Sequence, residues 1–237
     1  LIAAVAAGTI WALIPAVCRA KWGTNESLFT LMMNYVAMQI VSYCITFWEN
    51  PIGSNTVGII NSATSGGWLP SLFGQKYLLN ILVVALITIL MYIYLKYSKH
   101  GYEIAVVGES QNTARYIGIN VKKVIVRTVA LSGALCGLAG LLLVAGTDHT
   151  ISTNTVGGQG FTAIMVSWLA KFNPLVMALT SFLLIFLGRG AGEIATAFRL
   201  NESVSDILTG IILFFIIGCE FFVNYKVNFR PMHKEGK

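Results

Sequence analysis

The sequence contains few charged residues and few of the side chains that perform chemistry. Aspartate, glutamate, lysine and arginine make up 11% of its 237 residues, and there are three histidines and four cysteines. It has no P-loop, no G-x-S-x-G and no H-E-x-x-H sequence, the motifs of nucleotide hydrolysis, serine hydrolases and zinc proteases. We therefore expect this chain to hold no catalytic residues, no metal and no cofactor of its own.

The cysteines and histidines are spread along the chain. Cys18, Cys44, Cys136 and Cys219 form no C-x-x-C pair, and the histidines fall in separate polar segments. This spacing is typical of small packing residues, and it indicates neither a disulfide framework nor a zinc site.

Apolar residues make up 56% of the chain, and the mean hydropathy is +0.72. A helix needs about 20 apolar residues to cross a hydrocarbon core about 30 Å thick. The pattern predicts an all-α, polytopic membrane protein with its best spans at Leu28 to Trp48, Leu78 to Leu95, Val124 to Gly146, Leu175 to Leu187 and Ile207 to Val223. Leu1 to Val17 and the short Phe161 to Ala170 are weaker candidates.

The chain begins at Leu1, inside an apolar run, with no initiating methionine and no basic segment of the kind that opens a signal peptide. We therefore expect residues 1–237 to form a single transmembrane domain. This domain would be the C-terminal part of a longer protein whose first helices precede Leu1.

The formal net charge of +6 indicates orientation in the membrane. Lysine and arginine concentrate on the cytoplasmic side, and with alternating spans most of the basic residues fall on one side. This arrangement predicts a cytoplasmic loop at 99–123, a cytoplasmic C-terminus and outer loops at 49–77, 147–160 and 188–204. It requires 161–170 to cross the membrane. Nucleic acid is not an expected partner, because the chain lacks a soluble basic face.

Glycines in the third long span predict close helix packing. Gly133, Gly137 and Gly140 include a G-x-x-x-G pair, which lets membrane helices approach each other closely. The alternative is that these glycines reflect only the general frequency of glycine in membrane helices.

Polar residues inside the spans are candidates for a translocation path. The candidates are Asn34, Tyr35, Gln39, Ser42 and Trp168. Tyr35, Gln39 and Ser42 share a helix face at i, i+4 and i+7, although hydrogen bonding between helices would explain them equally well. Glu220 is the one carboxylate candidate for an ion-driven carrier.

The cytoplasmic loop contains a segment bracketed by Gly108 and Gly118. Ser110 is placed to cap the first backbone N–H groups of a helix, and Gly118 to take the left-handed position after it. We therefore predict a rigid helix of about two turns. Ala114 and Ile117 would form its apolar side, and Gln111, Asn112 and Arg115 would offer hydrogen bonds to another surface.

The stretch VGESQNTARYIGINVKKV, followed by LSGALCGLAGLLL, resembles the permease subunits of bacterial ABC importers of the branched-chain amino acid, ribose and nucleoside class. In that class a G-x-N-x-x-A-A-R-x-x-G-I-N-V pattern marks the coupling helix, and Thr113 stands here in place of an alanine. GTNESLFTLMMNYVA, after a helix with Gly8, Trp11 and Ala12, is similar to the nucleoside-type branch.

The resemblance implies a type II importer-like bundle in the bacterial plasma membrane that moves a small polar solute, most like a nucleoside, into the cell. The implied partners are cytoplasmic ATP-binding subunits that hold ATP and Mg²⁺, a second permease subunit, an extracytoplasmic solute-binding lipoprotein and the lipid bilayer. The implied coupling residues are Ser110, Gln111, Asn112, Thr113, Ala114, Arg115, Tyr116 and Gly118. The alternatives are a sugar or branched-chain amino acid permease, an ion-driven carrier and a structural or receptor-like membrane subunit.

Overall fold

A computed structural model describes residues 1–49, 52–61, 66–70, 77–153 and 155–199, with scattered positions between 204 and 219. The chain separates into two compact units, Leu1–Gly157 and Gly158–Lys237. Within the described residues the regular structure is helical, apart from an isolated antiparallel bridge between Thr56 and Ser152. The all-α class is confirmed.

The described part of the first unit contains six α-helices. They are α1 Ile2–Trp22, α2 Glu26–Trp48, α3 Leu78–Tyr97, α4 Lys99–Glu109, α5 Gln111–Tyr116 and α6 Val121–Leu143, which continues into a π-helical turn at Val144–Asp148. The second unit contains α7 Gln159–Leu169 and α8 Pro174–Ala197. Of the helices the structure describes, α1, α2, α3, α6 with its π-turn, and α8 are long and apolar enough to cross a membrane.

Local capping fixes where several spans begin. The Asn25 side chain accepts hydrogen bonds from the backbone N–H groups of Ser27 and Leu28 at the start of α2. Asn173 does the same for Leu175 at the start of α8, where Pro174 occupies the first helical position. Both are standard ways of satisfying the unpaired donors at a helix N-terminus.

Helices α1 and α6 pack together through glycine. A methyl group added at Gly133 would lie 2.6 Å from the Gly8 carbonyl oxygen, and one added at Gly137 would overlap the Ala4 carbonyl oxygen. A methyl group added at Gly140 would have no described atom within 4 Å. The backbones of α1 and α6 therefore touch at Gly133 and Gly137, as small residues allow in membrane helices, and Gly140 lies outside this contact.

The π-helical turn at the end of α6 is held by the first turn of α3 and by the segment before it. The Asn80 amide nitrogen lies 3.5 Å from the Leu142 carbonyl oxygen and lies against Gly146. The Trp68 indole stacks on the His149 imidazole with ring centroids 4.0 Å apart. This end of the first unit thus combines a wide helical turn with an aromatic stack.

The second unit corrects one prediction. Gly188 to Gly192 was expected to begin an outer loop at 188–204, but α8 continues through these residues to Ala197. Glycine weakens a helix by only about 1 kcal/mol per residue relative to alanine, and a long helix tolerates that cost. The predicted short crossing at 161–170 corresponds to α7, whose 11 residues extend about 16 Å, roughly half a hydrocarbon core.

The predicted span Ile207 to Val223 lies largely outside the described residues, and so does Glu220. The free cysteines Cys18 and Cys44 are half-buried, and Cys136 and Cys219 are exposed.

Candidate functional site

The candidate site is the short helix α5 with the two helices that hold it. Ser110 ends α4 and begins α5: its backbone N–H donates to the Val106 carbonyl oxygen at 3.0 Å, and its Oγ accepts from the Thr113 N–H at 3.3 Å. One residue therefore joins the two helices without a flexible linker. The helix predicted after Ser110 is present, with six residues.

The C-terminal end of α5 is closed by a Schellman motif. The Ile119 N–H donates to the Ala114 carbonyl oxygen at 2.9 Å, and the Gly118 N–H donates to that of Arg115 at 3.1 Å. Gly118 has φ 83°, the left-handed conformation that glycine adopts most easily. The predicted left-handed position of Gly118 is confirmed.

The side chains of α5 divide sharply by exposure. Ala114 is fully buried, whereas Tyr116 is 91% exposed. Gln111, Asn112, Thr113 and Arg115 are also exposed. Ile117, expected on the apolar side with Ala114, is 55% exposed because it lies at the end of the helix. We call the exposed residues of Gln111–Tyr116 the knob.

Helix α4 was not predicted from the sequence. Ser98 Oγ accepts from the Gly101 N–H at 3.0 Å to start it, and the helix runs through Gly108, which was expected to bound the segment. Gly101 is buried against the end of α3, and a methyl group there would overlap the Leu95 carbonyl oxygen. The knob is therefore carried on a helix that packs tightly against a membrane span.

An ion pair links α4 to α6. Arg127 Nη2 donates to Glu103 Oε2 at 2.8 Å, and His100 Nδ1 lies 3.6 Å from the same oxygen. The hydrogen bond from Arg127 holds the pKa of the Glu103 carboxyl below its ordinary value, because it favours the ionised form. The pair was not predicted from the sequence, because residues 24 apart in the chain carry no local signal of contact.

The predicted path residues of the first unit lie on α2. Tyr35 and Gln39, with Val36, Ile40 and Tyr43, border a shallow, open depression of about 430 Å³. All five belong to one helix, so this feature is a helix face and not an enclosed cavity. Ser42 is half-buried, and the Asn34 amide contacts Met38 Sδ at 3.8 Å.

Trp168, the remaining predicted path residue, belongs to the second unit. Its side chain is 71% exposed, and its ring centroid lies 6.4 Å from that of Phe172. Its role in a path stays a prediction. In the described part of the chain, histidine, cysteine, aspartate and glutamate form no group of three that could hold a metal ion.

The apolar spans, with a capped polar helix between two of them, define a polytopic membrane protein. The chain belongs to the family described as "Branched-chain amino acid transport system / permease component", which matches residues 1–217. The resemblance inferred from the sequence is thus confirmed at the level of the family.

Several curated proteins are similar to most of this chain. The guanosine ABC transporter permease protein NupP of Bacillus subtilis is 31% identical over 219 residues, 91% of this chain and 63% of NupP. A glucose ABC transporter permease protein of Haloferax volcanii is 28% identical over 95% of this chain and 62% of that protein. The nucleoside ABC transporter permease protein NupB of Lactococcus lactis is 27% identical over 88% of this chain and 60% of NupB.

The chain spans about three fifths of the length of these relatives. No solved structure matches it.

Proposed function

We propose that this chain is part of the membrane-spanning permease of an ATP-driven importer, and that the knob docks on a cytoplasmic ATP-binding subunit. The observation that carries the proposal is the construction of α5. Ser110 and Gly118 cap a helix whose outward face is exposed, and Ala114 anchors it underneath. A rigid, exposed helix between two membrane spans suits the transfer of movement from another protein.

The charge pattern supports placing this surface in the cytoplasm. Lys96, Lys99, Arg115, Lys122 and Lys123 all lie in or beside the segment between α3 and α6, and basic residues favour the cytoplasmic side. We also propose a cytoplasmic C-terminus, since the tail contains Lys226, Arg230, Lys234 and Lys237. That orientation requires α7 and its flanking residues to cross the membrane.

We propose a nucleoside as the transported solute. The relatives NupP and NupB are named as guanosine and nucleoside permeases, and the Gly23 to Ala37 segment is similar to the nucleoside-type branch. The exposed α2 face offers the Gln39 amide and the aromatic rings of Tyr35 and Tyr43, groups that can hydrogen-bond to a base and stack on it. A sugar is the second candidate, because the Haloferax volcanii relative is named as a glucose permease.

The coupling proposal is tested with Arg115→Glu in the full-length protein, expressed with its ATP-binding and solute-binding subunits. Arg115 lies on the exposed side of the knob, so charge reversal should release the ATP-binding subunit and abolish uptake. Lys99→Glu, at the exposed start of α4, makes the same charge change outside the knob and should retain both. Uptake that persists with Arg115→Glu would favour an ion-driven carrier.

The substrate proposal is tested by competition. ATP-driven uptake of radiolabelled guanosine into proteoliposomes is measured with excess unlabelled nucleoside, glucose or leucine. Inhibition by nucleosides alone supports the proposal. Inhibition by glucose alone, or absence of guanosine uptake in an active transporter, contradicts it.

A further inference from the structure

The Glu103–Arg127 pair closes the segment that carries the knob. The two side chains are joined at 2.8 Å and are 19% and 30% exposed. They come from α4 and α6, on either side of α5. Because the pair joins residues 24 apart in sequence, it closes a loop of the chain. This ring consists of α4, α5 and the first turns of α6, and the knob lies on α5, opposite the ion pair in the chain order.

The rest of this ring is held by short-range hydrogen bonds. Ser110 joins α4 to α5, and the Asn120 side chain caps α6 by accepting from the Lys123 N–H at 3.2 Å. These bonds fix each corner of the ring but not the position of α4 against α6. Helices α4 and α6 also pack directly against each other, and the charged pair adds a side-chain cross-link between them.

Helix α6 continues from this ring to the glycine contact with α1. The contact is formed by the backbones of Gly133, Gly137 and Gly8, which leaves little freedom for α6 to slide without moving α1. Displacement of the knob therefore has a continuous mechanical route through α6 to α1, provided that α4 and α6 move together.

We propose that Glu103 and Arg127 are positioning residues that make α4, the knob and the start of α6 move as one body, so that movement of the ATP-binding subunit tilts α6 with α1. This inference rests on the proposed coupling function. Without the pair, the knob would still bind its partner, but part of its displacement would be lost in rotation of α4.

Two observations indicate that the pair resists such rotation. Arg127 is half-buried, and its Nε has no hydrogen-bond partner among the described residues. Glu103 is the carboxylate that pairs with its guanidinium in the part of the chain the structure describes. Removing the carboxylate partner of a half-buried cation costs more free energy than removing the partner in an exposed pair. Separation of α4 from α6 is therefore opposed by more than screened surface attraction.

The test uses the full-length permease assembled with its ATP-binding and solute-binding subunits in proteoliposomes. The measured quantity is the amount of solute transported per ATP hydrolysed. Glu103→Gln removes the charge and nearly preserves the shape. Glu109→Gln is the matched control, because Glu109 is an exposed glutamate at the end of the same helix.

We expect Glu103→Gln to lower transport per ATP by about fivefold while the ATP-binding subunit stays bound. Glu109→Gln should leave the ratio unchanged. The charge-swapped double variant Glu103→Arg with Arg127→Glu should recover most of the loss, because a new pair can form. A purely structural pair would reduce the yield of folded protein without changing the ratio.

Three results would overturn the inference: an unchanged ratio in Glu103→Gln, no recovery in the charge swap, or release of the ATP-binding subunit by Glu103→Gln. If Glu103→Gln does not fold, Glu103→Asp keeps the charge on a side chain one methylene shorter. The inference would also be refuted if Glu103→Asp and the folded fraction of Arg127→Gln both transported as much solute per ATP as the unsubstituted protein. Failure of the coupling proposal is distinguishable, because it appears as retained uptake in Arg115→Glu.

Discussion

The contact between α1 and α6 predicts that alanine substitutions at two glycines one turn apart, Gly137 and Gly140, differ in their effect on stability. A methyl group at Gly137 would overlap the Ala4 carbonyl oxygen and lie 3.1 Å from its carbonyl carbon. Both atoms belong to the backbone, so they cannot rotate away as a side chain would. Gly137→Ala should push the helices apart by on the order of 1 Å and destabilise the protein by about 1 to 3 kcal/mol.

Gly140 provides the matched control on the same helix. The same methyl group there would have no described neighbour within 4 Å. Gly140→Ala should therefore cost nothing in packing, and it should gain up to about 1 kcal/mol because alanine loses less backbone entropy in a helix. The two substitutions are chemically identical, so their difference isolates the helix contact.

The assay is reversible unfolding of the purified full-length permease in mixed micelles with increasing dodecyl sulfate. We expect the free energy of unfolding to be lower for Gly137→Ala than for Gly140→Ala by about 2 kcal/mol or more. Equal stability of the two variants would show that α1 and α6 do not meet at Gly137, and would remove the route from α6 to α1.

Three further predictions concern the knob, the ion pair and the α2 face. Gly118→Ala forces alanine into φ 83° and should cost about 1 kcal/mol, measured as weaker retention of the ATP-binding subunit than with Gly108→Ala. The lowered Glu103 pKa means that the pair stabilises the fold fully above the ordinary glutamate pKa, so the stability difference from Glu103→Gln should persist at about pH 5.5, shrink as pH falls below about 4.3, and disappear once the carboxyl is protonated in the folded protein. Gln39→Leu should raise the KM for solute with unchanged ATP-binding subunit retention, and an unchanged KM would remove Gln39 from the path.

Much of the fold was predictable because the membrane imposes a length. The predicted Leu78 to Leu95 and Val124 to Gly146 differ from the observed α3 and α6 by only a few residues at their ends, since a span must offer about 20 apolar residues. Local capping was also readable, and Ser110 with Gly118 fixed the ends of α5. These signals depend only on neighbouring residues.

Contacts between distant residues were not predictable. The partner of Gly133 is Gly8, and that of Arg127 is Glu103; neither pairing leaves a trace in local sequence. Gly140 follows Gly137 by three residues, but a methyl group there would meet no described atom of α1, because only one face of α6 meets that helix. Tertiary packing decides which members of a sequence pattern are used.

Helix ends predicted at glycine residues were wrong in two places. Gly108 lies inside α4, and Gly188 to Gly192 lie inside α8. A helix ends at a glycine only when the residue adopts positive φ and satisfies the last carbonyl groups, as at Gly118. Inside a helix the same residue costs about 1 kcal/mol, which the remaining hydrogen bonds and packing offset.

The central claim is that the knob contacts the ATP-binding subunit, and site-directed cross-linking tests it most directly. All cysteines of the full-length permease are replaced, among them the four in this chain, and Tyr116→Cys introduces a single thiol on α5 at a position that is 91% exposed. A maleimide–amine cross-linker applied to the assembled full-length transporter should join position 116 to the ATP-binding subunit and block uptake. Reaction of this thiol only with reagents added from outside the cell, without a cross-link to that subunit, would contradict the account.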